Sequence, residues 1–157
     1  MKFTIEEINS YFETAFLEAD IAVSKGEVPV GAVVVCEKSK KVIYSAHNLT
    51  ETLKDPTAHA EVLAIRGASS KVGDWRLNQY SLFVTLEPCP MCATTIIQSR
   101  ISELYFGAND DRAGACGSRV DLLWPNYLDH KIHVYSNFQA ERATTLLKSF
   151  FADLRKQ

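Results

Sequence analysis

The chain of 157 residues has no long apolar run, few cysteines, little net charge and no repetition. A bilayer-spanning helix takes about 18 or more consecutive apolar residues. No segment reaches that length, so a membrane helix is not expected. The opening MKFTIEEINSYFETAF has acidic residues where a secretory leader needs an apolar core, which predicts a cytoplasmic protein. A formal net charge of −2 gives little long-range attraction for polyanions. A nucleic-acid partner would therefore have to be met by a local basic patch. Internal repeats, low-complexity stretches and long linkers are absent, so residues 1–157 read as a single domain. A domain of that size buries about 70% of its unfolded surface.

Only four cysteines are present, Cys36, Cys89, Cys92 and Cys116. In a reducing compartment they do not form a disulfide framework, and a C-x-x-C pair points to metal or redox chemistry. Cys36 closes the apolar run VGAVVVC and reads as a small core residue.

What the chain does have is alternation of helical and strand-like periods. Thr4 followed by Glu7 is a capping box, and Ile5, Ile8, Phe12, Ala15, Phe16 and Ala19 line one face of the helix it opens, which ends near Gly26. The runs VPVGAVVVCE and KVIYSAHN flank the basic turn KSKK and predict a hairpin. A helix from about Ala58 stops before Gly73. SLFVTLE, ELYFGA and KIHVYS read as further strands, and PMCATTIIQSR as a helix between the first two. RVDLLW reads as a short helix after the Gly-containing loop NDDRAGACGS, and FQAERATTLLKSFFADLRK as a closing amphipathic helix. Strands alternating with helices predict an α/β fold: a three-layer α/β/α sandwich around a five-stranded mixed sheet.

Two stretches carry chemistry. In TLEPCPMC, Pro90 suits the first helical position, which makes Cys89 the N-cap and places Cys92 in the first turn. Both sulfurs then sit in the positive field of a helix N-terminus, which favours thiolates. In DPTAHAEV, Thr57 is the expected N-cap, with His59 in the first turn. Two converging helix starts can present His59, Cys89 and Cys92 to one zinc ion, and three protein ligands leave a fourth position open, the catalytic arrangement. Glu61 lies two residues beyond His59, about 200° around an ideal helix. An ion off the helix end can still meet both side chains, leaving Glu61 free as a proton shuttle. Taken singly, either motif has plainer readings: a thioredoxin-like redox pair, or a histidine that merely starts a helix. A purely structural zinc would need a fourth ligand, for which Cys116 and His47 are the spares.

The order H-x-E…P-C-x-x-C resembles the zinc-dependent nucleoside deaminases. EVPVGAVVV, DPTAHAEVLAIR, LFVTLEPCPMC, SRISELYFGAND, GACGS and FFADLRK extend the likeness from about Phe12 to Lys156, and resemble the bacterial tRNA-specific adenosine deaminases. The resemblance implies a cytidine deaminase-like fold. It also implies hydrolysis of adenosine to inosine at the first (wobble) anticodon position of tRNA, with zinc-activated water. It assigns His59, Cys89 and Cys92 as ligands of one Zn2+ per subunit and Glu61 as the shuttle. Asn48 matches a base-contacting asparagine, although it also suits a turn closing the second strand. Val30 and Leu86 match pocket-wall positions that could equally be core, and the N–H groups of Ala60 and Cys89 are donors at helix starts. Asp110 matches a position beside the RNA. Arg112 and Arg119 lie near it in sequence, and Lys148, Arg155 and Lys156 stand on the last helix; singly, each reads as a solvated charge. A basic residue is common in the family where this chain has Asn109. The resemblance further implies a homodimer, for which LLWPNYL offers apolar residues that could instead pack within the subunit. Two alternatives stay open: a deaminase of a free nucleobase or nucleoside of guanine or cytosine type, and a non-catalytic zinc-stabilised partner subunit.

Overall fold

Thr4 opens helix α1 (Ile5–Ser24) as its sequence demands: the Glu7 N–H donates to Thr4 Oγ1 at 3.1 Å, and the Glu7 carboxylate accepts from the Thr4 N–H at 2.9 Å. In the computed structural model, which describes residues 1–123 and 130–157, α1 buries Ile8, Phe12, Ala15, Phe16 and Ala19. Ile5, expected on the same face, is exposed.

The predicted hairpin is strands β1 (Gly31–Cys36) and β2 (Val42–His47). After it come the short helix α2 (Thr50–Leu53) and α3 (Ala60–Val72). Strand β3 (Tyr80–Leu86), helix α4 (Pro90–Gln98) and strand β4 (Glu103–Ala108) form a parallel crossover. Strand β5 (His133–Tyr135) and helix α5 (Ala140–Arg155) follow. The sheet order is β2-β1-β3-β4-β5, with β1 antiparallel to both neighbours and β3, β4 and β5 mutually parallel.

Side chains alternate across a strand, and here the alternation sorts two cores. Val33, Val35, Phe83 and Tyr105 face α1 and Ala143 of α5. Ala32, Val34, Leu82, Val84, Leu104 and Phe106 face Ala64, Ala68 and Ile96 on α3 and α4. The three-layer sandwich is therefore as expected. At Gly31 the first strand passes so close to α1 that an added Cβ would lie 1.8 Å from the Ala15 carbonyl oxygen. Only glycine fits there.

Several elements depart from expectation. Helix α2 was not anticipated, because four residues are too few to show a period. β5 is three residues long. RVDLLW begins with an isolated bridge between Cys116 and Asp121 and a turn rather than a helix, and Trp124 lies outside the described residues. Of LLWPNYL, Leu122 and Leu123 pack against the subunit's own core, and the remaining residues lie outside those described. Cys36 is half-buried at the end of β1 rather than enclosed in the core. Among the described residues no helix is long and apolar enough to cross a membrane.

β2, β3 and β4 all run in one direction, so their C-terminal ends share an edge with the start of β1. Register puts Gly31 opposite His47, and Leu86 opposite Ala108. Open α/β sheets present their ligand sites beyond such strand ends.

Candidate active site

Two helices begin at this edge, and both begin abnormally. His59 is the N-cap of α3 and Cys89 the N-cap of α4, each in extended backbone, yet neither side chain makes a capping hydrogen bond. A capping side chain ordinarily accepts from the first-turn amides. Here the two reach for each other instead. His59 Nδ1 stands 3.6 Å from Cys89 Sγ and 3.5 Å from Cys92 Sγ, and the three ligand atoms all lie within 4.8 Å of one another. Ligands held 2.0–2.3 Å from a tetrahedral zinc stand about 3.3–3.8 Å apart. An imidazole and two thiols at that spacing fit zinc in both softness and size.

The His59 position corrects one expectation. Thr57 is not the cap, because Asp55 captures it: the Thr57 N–H and Oγ1 donate to Asp55 Oδ1 at 2.8 and 2.7 Å. That moves the helix start two residues on and leaves His59 at the mouth. The electrostatics suit a cation. The Cys92 and His59 hydrogen bonds hold the Cys89 thiol down to about 4, so it is a thiolate at neutral pH. The bond to Cys89 together with burial pushes the Cys92 thiol up. The bond to Cys89 also raises the His59 imidazole. Glu61, 4% exposed in the first turn of α3, has its carboxyl raised by burial. A buried carboxyl beside an open ligand position is suited to carry protons.

The spare ligands are not recruited. Cys116 lies outside the three-residue group, its thiol pushed up by burial and by Glu87. His47 is engaged elsewhere, with Nδ1 2.6 Å from Glu18 Oε2 and Nε2 3.0 Å from Lys25 Nζ. Among the described residues the group therefore ends at three protein ligands, which disfavours a purely structural zinc.

A cleft of about 1370 Å³ opens over the group. It is lined by Val30, Asn48, Ala60, Leu86, Asp110, Arg112 and Arg155, all among the residues expected to contact substrate. Lys156, also expected there, is an exposed C-cap of α5 and does not line the cleft. Lys148 does line it, and Arg119 does not. Phe150 and Phe151, edge to face at 5.3 Å, add an aromatic wall.

Sequence reasoning passed over two carboxylates. Glu87, 2% exposed, accepts from the N–H groups of Asp110 at 2.8 Å, Cys116 at 3.1 Å and Ser118 at 3.0 Å. It folds the loop bearing Asp110 and Arg112 back onto the strand end that leads to Cys89. Gly114 makes room for it, since a Cβ there would lie 2.2 Å from Glu87 Oε2. Glu27, 1% exposed, accepts from the Glu51 and Thr52 N–H groups at 3.1 and 2.6 Å and from Thr52 Oγ1 at 2.6 Å. A glutamate directly before Pro-Cys was the available signal for Glu87; Glu27 gave none.

Fold and donor set together define a zinc-dependent deaminase, and residues 5–108 match the cytidine and deoxycytidylate deaminase zinc-binding region. The tRNA-specific adenosine deaminase of Bacillus subtilis strain 168 is 43% identical over 147 residues, covering 94% of this chain and 90% of that protein. That of Rickettsia felis is 41% identical over 143 residues, covering 91% and 99%. With such relatives along nearly its whole length, the chain belongs to the tRNA-specific adenosine deaminase family. A solved structure from a study of A-to-I editing by tRNA:A34 deaminases at the wobble position of transfer RNA superposes with a TM-score of 0.84. It is 40% identical and covers 88% of this chain and 99% of that one. Guanine deaminase from Bacillus subtilis superposes with a TM-score of 0.62 at 28% identity, covering 99% and 96%.

Proposed function

We propose that this chain is a single-domain cytoplasmic enzyme that hydrolyses adenosine to inosine at the first anticodon position of tRNA, releasing ammonia. The observation that carries the chemistry is a buried Glu61 carboxyl beside a three-ligand metal group. His59, Cys89 and Cys92 hold one zinc ion per subunit. Bound zinc supplies Lewis acidity that makes water a nucleophile near neutral pH. Glu61 takes the proton released as water adds to C6 of the base and gives it to the departing amine, which leaves as ammonia. The Ala60 and Cys89 N–H groups, at helix starts where no preceding turn accepts them, donate to charge developing on the substrate.

An adenine stacked in an anticodon loop cannot reach the floor of this cleft, so its nucleotide turns out into it. Val30 and Leu86 wall the base and Asn48 bonds its edge. Asp110, Arg112, Lys148 and Arg155 meet the RNA from the cleft rim, and Lys156 contributes at the end of α5 as a more distant charge. Two copies act as a homodimer. The identity with tRNA-specific adenosine deaminases favours this substrate.

The second reading, deamination of free guanine, draws on the likeness to guanine deaminase. A non-catalytic partner subunit would have no use for Glu61. The test offers the purified protein an anticodon stem-loop with adenosine at its first anticodon position, free guanine, free cytosine and cytidine together, with products identified by mass spectrometry. Inosine in the stem-loop with the small molecules untouched is expected. Conversion of a free base alone overturns the substrate, and no conversion at all overturns the catalytic reading.

A further inference from the structure

Asn48 is the one amide in the cleft proposed to touch the base, and an amide has a directional ambiguity. Its two arms are nearly the same shape, but one is an acceptor and the other a double donor. Which arm faces the base is decided by what holds the other. The backbone of Asn48 is fixed: its N–H donates to Val30 O at 3.2 Å, and the next residue's N–H donates to Ala58 O at 3.0 Å, one residue before His59. The side chain is fixed separately. Thr50 Oγ1 donates to Asn48 Oδ1 at 2.6 Å, so the carbonyl arm is occupied. Asn48 is buried at 7% exposure, and both residues line the cleft.

We propose that Thr50 is a positioning residue for the reaction, turning the Asn48 amide so that its NH2 arm, a donor, meets an acceptor nitrogen of the purine. This rests on the proposed contact between Asn48 and the base.

Thr50 is in turn held by α2, a single turn whose N-cap, Leu49, has no side chain able to cap it. The missing cap comes from Glu27 through its bonds to the Glu51 and Thr52 amides. A carboxylate almost fully out of water is costly unless it is bonded in this way, and here its bonds fix the helix that carries Thr50. The chain of positions runs from Glu27 through α2 and Thr50 to the Asn48 amide.

The test is a double-mutant cycle on the zinc-loaded protein with the adenosine stem-loop. It reads the single-turnover rate, the stem-loop Kd and the melting temperature. Thr50→Val keeps the shape and removes the hydroxyl. It is expected to lower the single-turnover rate about two- to tenfold, the worth of one neutral hydrogen bond. Kd should be nearly unchanged, because phosphate contacts dominate affinity. Thr50→Ser restores the rate. In an Asn48→Ala background, Thr50→Val has no further effect, since no amide remains to orient. The proposal is overturned if Thr50→Val leaves the rate unchanged, if it costs as much in the Asn48→Ala background, or if Kd rises and the melting temperature falls along with the rate. If the unmodified protein makes no inosine in the stem-loop but deaminates free guanine, the substrate reading fails. The cycle then runs on guanine, also a purine with ring acceptors, and the same pattern decides the role of Thr50.

Discussion

The floor and the rim of the cleft are built by opposite means. At the floor, His59, Glu61, Cys89 and Cys92 sit on the starts of two helices packed on the sheet, partly or wholly buried, their positions set by strand register and helix geometry. At the rim, Arg112 on a loop and Lys148 and Arg155 on the outer face of α5 are exposed and make no ion pair among the described residues. The proposed chemistry is thus held by the scaffold, while the proposed recognition is spread over exposed charges. Rigid placement matters for reacting atoms, where about 1 Å of misplacement can cost 10²-fold. Phosphate contacts act through a screened field and tolerate movement.

Changes at the floor should be near-total. Cys92→Ser, or prolonged chelation, is expected to remove bound metal, abolish inosine formation and lower the melting temperature, read by metal analysis and calorimetry. Retained metal with full activity would break the assignment. Glu61→Gln should lower kcat by about 10²–10⁴-fold, the usual range for a general acid–base group. Metal content and melting should be unchanged; loss of metal would make Glu61 a ligand rather than a shuttle.

Between floor and rim stands the Glu87 tie. Gly114→Ala forces a Cβ against Glu87 and the Asp110 carbonyl and is expected to cost about 1–3 kcal/mol. Faster amide exchange over 110–118 and weaker stem-loop editing should follow, with metal content intact.

Glu27 gives the pH arm. Burial would raise its carboxyl, but the Thr52 hydroxyl and the Thr52 and Glu51 N–H groups outweigh it, and the net shift is downward. A lowered folded value means stability that is full above the unfolded value, about 4.3, and lost as pH falls through the folded one. Glu27→Gln should therefore cost about 1–3 kcal/mol at pH 7. The gap from the parent protein should close below about pH 4, as melting curves would show; a pH-independent gap would contradict this.

The smallest effects belong to the rim. Arg112→Ala or Arg155→Ala should each weaken stem-loop binding by less than about 1 kcal/mol and lessen the salt slope by about 0.7 for each phosphate that the arginine neutralises. A large, salt-independent weakening would place that arginine beside the base instead.

The sequence exposed the floor more clearly than its supports. Hydrophobic periods mark α1 and the strands because those elements bury whole faces, and H-x-E with P-C-x-x-C is legible because ligand spacing is local. α2 has no buried residue to make a period. Glu27 and Glu87 bond amides 23 to 31 positions away, so their roles exist only after folding. Thr57 misled because a threonine before an apolar run usually caps, and only the geometry of Asp55 shows that it is already taken.

The Glu87 tie also limits how this enzyme can be re-engineered. The loop from Asp110 to Ser118 is closed on a carboxylate two residues before a metal ligand, so its length and path are matched to that one anchor. Swapping in a loop of another length to change which nucleic acid is accepted would leave a buried carboxylate without its amides, next to the metal group. Such grafts should carry the glutamate, the glycine and the whole loop as one cassette. The β1–β2 turn lies at the opposite end of the strands, where a change in loop length is expected to leave the metal group untouched.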